Sequence, residues 1–396
     1  MNPEQYLKDL KCKYIENLKR KGAIKSKSVE RAFWKVDRHQ LIEEFYEEDE
    51  NGEFEYAGKR FAKRKLEAQN LDLEILKVIY SDRPILINLN PPASSSQPFL
   101  VAEMLELLEL KPGLNVLEIG TGSGYNAALI QEIVGENGCV TTIEIQKDLA
   151  EKARERLKAL GYDKIHVIEG DGALGYSENA PYDRIIATVG CPDISWRWVE
   201  QLAPNGFMLI PLQHGVDCHP LVRIWRDRER IVGRFVGWSG FMSILGELAV
   251  PHKGPSFADF QRLASSMPMR EFPLPPVLQN LDETGLLSFG LFLAIVSERA
   301  FFWIGLWDKE KGAILVQKNK IVLYGDESLY CDLEGLCNQW ERLGKPGISE
   351  WMLELCPLGR TPEGSRKTTS WVVKRRFSRE IIILKTKGYN LTIWKQ

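Results

Sequence analysis

The stretch Val116-Leu-Glu-Ile-Gly120-Thr-Gly122-Ser-Gly124-Tyr125 places glycines at alternate positions after an apolar run. Lacking side chains, such glycines let the backbone pass directly beneath a ligand, and a helix starting just beyond offers its free N–H groups. By itself the spacing is shared by many nucleotide-binding proteins. Two acids downstream add chemistry. Glu144 lies near the end of the next strand-like run, residues 139–145, where a carboxylate can accept both hydroxyls of a ribose. Asp171 follows a third run, residues 165–169, inside Gly170-Asp171-Gly172. His214, Cys218, His219 and His252 match no common zinc spacing and read as loop residues, so no metal site is expected. Arg366-Lys367 and Lys374-Arg375-Arg376 lie beside strand-like runs and read as the solvated part of a hairpin.

These residues need elements to hold them. Between 115 and 211 strand-like runs fall at 115–119, 139–145, 165–169, 183–189 and 206–211, with helical patterns between them. That alternation predicts an α/β fold, a doubly wound and mostly parallel sheet, with ligands at the C-terminal strand ends. Gly120–Gly124, Glu144, Asp171 and Thr188-Val189-Gly190 all fall at those ends. Upstream, residues 3–37 have helical spacing. Residues 43–55 are acid-rich and read as a solvated loop, and 58–79 read as an exposed amphipathic helix. Residues 91–98 form a polar, proline-braced loop, and 218–248 hold two or three further strands, including 221–225. Beyond a proline-dense approach, runs at 301–307, 313–317 and 320–324 predict a meander. A helix at 328–343 and two last strands complete a small α+β domain with no motif that carries chemistry. The expected domains are 1–80, a helical region with an insertion; 81–250, the ligand-binding domain; and 251–396, a separate lobe.

Composition bounds the function. The chain has 396 residues, 44% of them hydrophobic, and a net charge of −2, which gives no global pull toward nucleic acid or an anionic membrane. Its longest apolar run, 286–296, is too short to cross a bilayer. The N-terminus is polar, and the seven cysteines are scattered, so a cytoplasmic monomer with reduced thiols is expected.

Residues ~80–248 resemble the protein-L-isoaspartate (D-aspartate) O-methyltransferase family of class I methyltransferases. The resemblance rests on Ser96-Gln-Pro98, on the glycine stretch at 116–125, on EGDGALGY at 169–176, on APYDRIIATVG at 180–190 and on EQLAPNGFMLIPL at 200–212. Upstream, 31–39 resembles the family's N-terminal helix, and an insertion of roughly thirty residues separates it from the rest. Where the family has Thr-hydrophobic-Ser, this chain has Ser94-Ser95-Ser96. The resemblance implies a Rossmann-like fold and S-adenosyl-L-methionine as cofactor. It implies that Glu118, Gly120, Thr121, Gly122, Ser123, Gly124, Glu144, Asp171 and Gly172 bind that cofactor. Glu118 would organise the methionine end, Glu144 the ribose, and Asp171 the adenine amino group beside the Gly172 N–H. Ser96, backed by Ser94, would orient an acceptor carboxylate on an isoaspartyl or aspartyl residue of a protein or peptide, as in protein repair. Two other readings are a class I methyltransferase redirected to an acceptor such as RNA, and a non-catalytic scaffold that keeps the cofactor site.

Overall fold

A computed structural model describes residues 3–66, 72–214, 219–250, 257–301, 304–359 and 370–384. The chain divides into two units. The first comprises Met1–Val189, Ser195–Leu209 and Phe241–Glu247; the second comprises Gly190–Ile194, Ile210–Gly240 and Leu248–Gln396.

The first unit opens with α1 (Pro3–Arg20) and α2 (Lys27–Lys35). The continuous helical stretch expected over 3–37 is broken between them. Gly22 takes φ +77°, and Ser26 caps α2 by accepting from Val29 N at 3.3 Å. The next two expectations are corrected, the helix expected over 58–79 only in part, since residues 73–79 do form one. The acid-rich run forms β1 (Glu44–Glu48) and β2 (Phe54–Tyr56), and the basic run forms β3 (Lys59–Lys65) rather than a helix. Lys63 pairs with Glu44 at 2.8 Å, Lys59 with Glu48 at 2.7 Å and Arg64 with Glu47 at 3.3 Å. Opposite charges at diagonal positions across an antiparallel ladder support strand pairing. Residues 67–71 lie outside the described set. α3 (Leu73–Ile79), capped by Asp72, then leads to β4 (Ile85–Leu89) and β5 (Pro92–Ser95), so the polar loop at 91–98 is in part a strand. The sheet order is β2-β3-β1-β4-β5. Next comes α4 (Pro98–Leu107), whose Phe99 N donates to Asp82 Oδ1 at 2.9 Å.

The alternating pattern then forms as expected. It runs through β6 (Asn115–Ile119), α5 (Tyr125–Val134), β7 (Cys139–Glu144), α6 (Lys147–Ala159), β8 (Ile165–Glu169), β9 (Tyr182–Ala187), α7 (Trp196–Gln201) and β10 (Leu202–Pro211). The order is β8-β7-β6-β9-β10, with parallel pairing throughout. This is the doubly wound, Rossmann-like arrangement. The chain winds outward from β6 to β8, then crosses back to β9, which leaves a crevice at the β6–β9 switch point.

In the second unit β11 (His219–Asp227) and β12 (Arg230–Ser239) pair as a hairpin. α8 (Phe257–Ser266), β13 (Met269–Pro273), α9 (Glu283–Val296), β14 (Gly305–Asp308), β15 (Gly312–Val316), β16 (Lys320–Gly325) and α10 (Ser328–Arg342) follow. The expected meander is present, and β13 extends it in the order β13-β16-β15-β14. The apolar run at 286–296 lies in α9, whose Phe289 packs against Trp340 of α10 with ring centroids 5.2 Å apart. β17 (Trp351–Pro357), β18 (Ser370–Lys374) and β19 (Ser378–Leu384) do not join that meander; β12 pairs with β17, and β17 with β19.

The β18–β19 hairpin corrects a further expectation. The side chain of Arg375 at its turn is buried instead of solvated. It meets Glu380 Oε1 at 2.5 Å and donates to Pro192 O and to Gln213 O. His214, read as a loop residue, is buried with Nε2 3.0 Å from Glu380 Oε2. Asp193 accepts from Ser378 Oγ and from Phe377 N. Arg366, Lys367, Cys218 and His252 lie outside the described residues.

Candidate active site

The crevice at the switch point opens into a cleft of about 900 Å³, counting its mouth. Its floor is the turn between β6 and α5. Gly120 and Gly122 take φ +99° and +53°, a region that side chains rarely adopt. A Cβ on Gly120 would lie 2.9 Å from Thr188 Oγ1, so no larger residue fits. Thr188 Oγ1 donates to Gly120 O at 2.7 Å and holds the turn to the end of β9.

Two acids face this floor. Glu118, fully buried in β6, accepts from Asn126 Nδ2 at 2.7 Å and from Thr142 Oγ1 at 2.6 Å. The parallel register sets Thr142 opposite Glu118, and Thr142 Oγ1 also meets Thr121 Oγ1 at 2.8 Å. Burial pushes the Glu118 carboxyl up to about 7. Its two donors oppose that rise, and the nearby Glu144 charge adds to it. Glu144, at the end of β7, accepts from Gly122 N at 2.9 Å and from Gln146 N at 3.0 Å. Burial raises its carboxyl too, against the pull of those N–H groups.

The opposite wall comes from other parts of the first unit. β5 and the residue after it bring Ser94, Ser95 and Ser96 to the cleft, and the segment at 241–245 brings Phe241 to Leu245. Of the residues singled out from the sequence, Ser94, Ser96, Glu118, Gly120, Thr121, Gly122, Ser123, Glu144 and Gly172 line the cleft. Gly124 and Asp171 are not among its lining residues. Gly124 is the left-handed cap of α5, and a Cβ there would come within 3.1 Å of Leu157 of α6. Asp171 accepts from Ala173 N at 2.9 Å and from Glu247 N at 2.6 Å, tying the 241–247 segment to the end of β8. Among the described residues no group of His, Cys, Asp or Glu is arranged to hold a metal ion.

Sequence reasoning missed three participants. Thr142 and Asn126 complete the Glu118 network, and Arg38, buried behind the serine loop, donates to Ser96 O at 3.0 Å. A buried carboxylate under a glycine turn, an open cleft and a second carboxylate beside it suit a cofactor with a cationic end and a ribose.

The sequence profile described as Protein-L-isoaspartate(D-aspartate) O-methyltransferase matches residues 67–243. A Protein-L-isoaspartate O-methyltransferase of Pyrococcus horikoshii is 40% identical over 236 residues, which is 59% of this chain and 91% of that relative. The chain belongs to the protein-L-isoaspartate (D-aspartate) O-methyltransferase family. A second member, from Thermococcus sibiricus, is 44% identical over 201 residues, covering 50% of this chain and 75% of its own. A solved structure named protein-L-isoaspartate O-methyltransferase matches with TM-score 0.52 and 24% identity, over 87% of this chain and 96% of that one. At that identity the likeness speaks for the fold. Membership makes this chain an S-adenosylmethionine-dependent methyltransferase with the class I, Rossmann-like fold.

Proposed function

We propose that this chain methylates the free carboxylate of isoaspartyl, or aspartyl, residues in proteins or peptides, a protein-repair type of reaction. The observation that carries the reading is one cleft that joins the Glu118–Glu144 floor to the Ser94–Ser96 wall. When bound, S-adenosylmethionine supplies an electrophilic methyl group on a sulfonium centre. An acceptor carboxylate with pKa ~4 is already ionised at neutral pH, so the site needs no strong base. The carboxylate oxygen forms the new bond to the methyl carbon while the carbon–sulfur bond breaks and its electron pair stays on sulfur. No proton has to move. What the chain supplies is placement and the exclusion of water.

In this reading Glu144 accepts from the ribose diol, and Glu118 holds the methionine end with Asn126 and Thr142. The backbone at Gly120, Thr121, Gly122 and Ser123 passes beneath the cofactor, and Gly124 caps the helix that follows. Gly172 would lie beside the adenine; Asp171, expected to accept from the adenine amino group, stands outside the cleft lining and would act there by holding the 241–247 segment through Glu247 N. Ser96 orients the acceptor carboxylate and Ser94 assists. Residues 251–396 would select the substrate.

The reading includes a cytoplasmic monomer that acts without nucleic acid or membrane partners. Several bases of β3, Lys59, Lys63 and Arg64, are matched by acids of β1, which supports a protein acceptor over RNA. No described helix is long and apolar enough to cross a membrane.

The test is incubation with labelled S-adenosylmethionine and matched peptides that carry Asp or isoaspartate. Base-labile label on the isoaspartyl peptide alone is expected. Label on RNA, or none on either peptide, would overturn the proposal.

A further inference from the structure

Arg38 follows α2 and is fully buried, yet its partners are carbonyls rather than a carboxylate. Nη1 donates to Ile79 O at 2.8 Å and to Ser81 O at 3.2 Å, which pins the end of α3. Nη2 donates to Ser96 O at 3.0 Å and to Ser95 O at 3.3 Å, which pins the acceptor wall of the cleft. Longer contacts reach Arg83 O and Ser95 Oγ, both at 3.4 Å. The guanidinium carbon also lies 5.7 Å from the centroid of the Tyr125 ring. Tyr125 is the first residue of α5, directly after the glycine turn, and it lines the cleft. Its hydroxyl meets Tyr14 of α1 at 3.3 Å, so the ring is held from behind as well.

A buried cation is expensive, and Arg38 Nε has no hydrogen-bond partner among the described residues. Stability alone is a poor reason to retain such a group. Its geometry gives a better one. A planar fork with donors on two nitrogens can hold separate backbone segments in one orientation, which a lysine ammonium cannot reproduce. Here one fork grips the serine loop while its face rests on the start of the helix that carries the glycine turn.

We infer that Arg38 is a positioning residue for methyl transfer, setting the Ser94–Ser96 wall at a fixed distance from the glycine turn. The inference rests on the proposed carboxyl methylation, because an in-line transfer is what makes that distance matter. Arg38 does not line the cleft, so it acts through the backbone of Ser95 and Ser96 and through Tyr125. A misplacement of about 1 Å can cost about a hundredfold in rate.

The test uses the full-length protein and two variants, Arg38→Lys and Arg38→Ala. For Arg38→Lys, kcat on an isoaspartyl peptide should fall by about a hundredfold, while affinity for S-adenosylhomocysteine stays within about twofold. Amide exchange should accelerate at residues 94–99 and stay unchanged in β6 to β8. Added guanidinium should restore activity to Arg38→Ala and leave the wild type unaffected. Retention of wild-type kcat in Arg38→Lys would overturn the inference. So would exchange that rises equally across the first unit, or an absence of guanidinium rescue, since either marks a merely structural residue. If the wild type itself methylates no isoaspartyl peptide, the functional reading fails separately. The exchange comparison then still decides whether Arg38 orders the serine wall.

Discussion

Glu118 and Glu144 face the same turn, but they should answer to pH and to substitution differently. The Glu118 carboxyl, at about 7 in the folded chain, lies above its ordinary value. Between that ordinary value and about 7 the folded state holds a proton that the unfolded state has lost, so this group's contribution to stability falls as pH rises through that window. A cation at the methionine end favours the ionised form and drives the proton off. Affinity for S-adenosylmethionine should therefore climb between about pH 6 and pH 8 and then level off. Calorimetry in two buffers of different ionisation heat should detect proton release, and Glu118→Gln should flatten the profile. Glu144 accepts from Gly122 N and Gln146 N, so its loss also loosens the glycine turn. Glu144→Ala should weaken cofactor binding by roughly 2–4 kcal/mol. An unchanged calorimetric affinity would remove Glu144 from the site. On the acceptor wall, Ser96→Ala should lower kcat with cofactor affinity intact. Ser95→Ala should do much less, because Ser95 is buried with its hydroxyl 3.4 Å from Arg38 Nη2. Steady-state rates on one isoaspartyl peptide separate the two. Glu144 was legible because it ends a strand-like run; Glu118, inside β6, is marked only by the family resemblance. Thr142 was not legible, since a threonine inside a strand reads as an ordinary β-branched residue until the register sets it against Glu118.

Local pattern decides an element when the core enforces it, and the alternating run from β6 to β10 shows this. Its central strands β6 and β7 are buried on both faces, so their buried runs are continuous and their ends sharp. The insertion of roughly thirty residues that carries β1 to β3 gives no such signal. Lys59-Arg-Phe-Ala-Lys-Arg-Lys65 mixes charge and apolar groups at a spacing that a helix or a strand can use. Its choice of strand rests on acids more than ten residues away, in β1. The β18–β19 hairpin was legible as a hairpin, but its charge was not placed. Burial opposes ionisation of Glu380, yet Arg375 and His214 beside it outweigh that cost and hold its carboxyl at about 2. The folded value lies below the unfolded one. The resulting stability is present above the ordinary carboxylate range and is lost as pH falls toward about 2. Glu380→Gln leaves Arg375 buried without its counter-charge and should destabilise the neutral-pH protein by about 3–5 kcal/mol. The melting temperature of the wild type should fall steeply on acidification, and that of the variant should start lower and fall less. Parallel acid profiles for the two proteins would show that the pair contributes nothing to folding.

At the scale of the whole chain, sequence order and spatial grouping part company. The composition changes near residue 250, and the prolines there invite a boundary. Every residue lining the cleft lies in the first unit, which agrees with a self-sufficient cofactor site. The second unit, however, is discontinuous: Gly190–Ile194 and Ile210–Gly240 group with the residues after Leu248. That grouping was not legible, because the strands that complete it, β17 and β19, are more than a hundred residues away from β12 and share no local pattern with it. A chain cut near Pro251 would keep β11 and β12 but lose β17. The β12 edge would then stand open over Ile231 to Arg234, with Ile231 and Val232 stripped of cover. An open apolar edge is a template for association. Buried Asp193 and His214 would lose Ser378, Glu380 and Arg375. The expected result is a fragment of residues 1–250 that aggregates on expression, although it carries all the cleft residues. Size-exclusion chromatography and S-adenosylhomocysteine calorimetry on that fragment decide the matter. A soluble, monomeric fragment that binds as the full chain does would show that the residues after 250 are a separable lobe, and that Ile210–Gly240 stands without them.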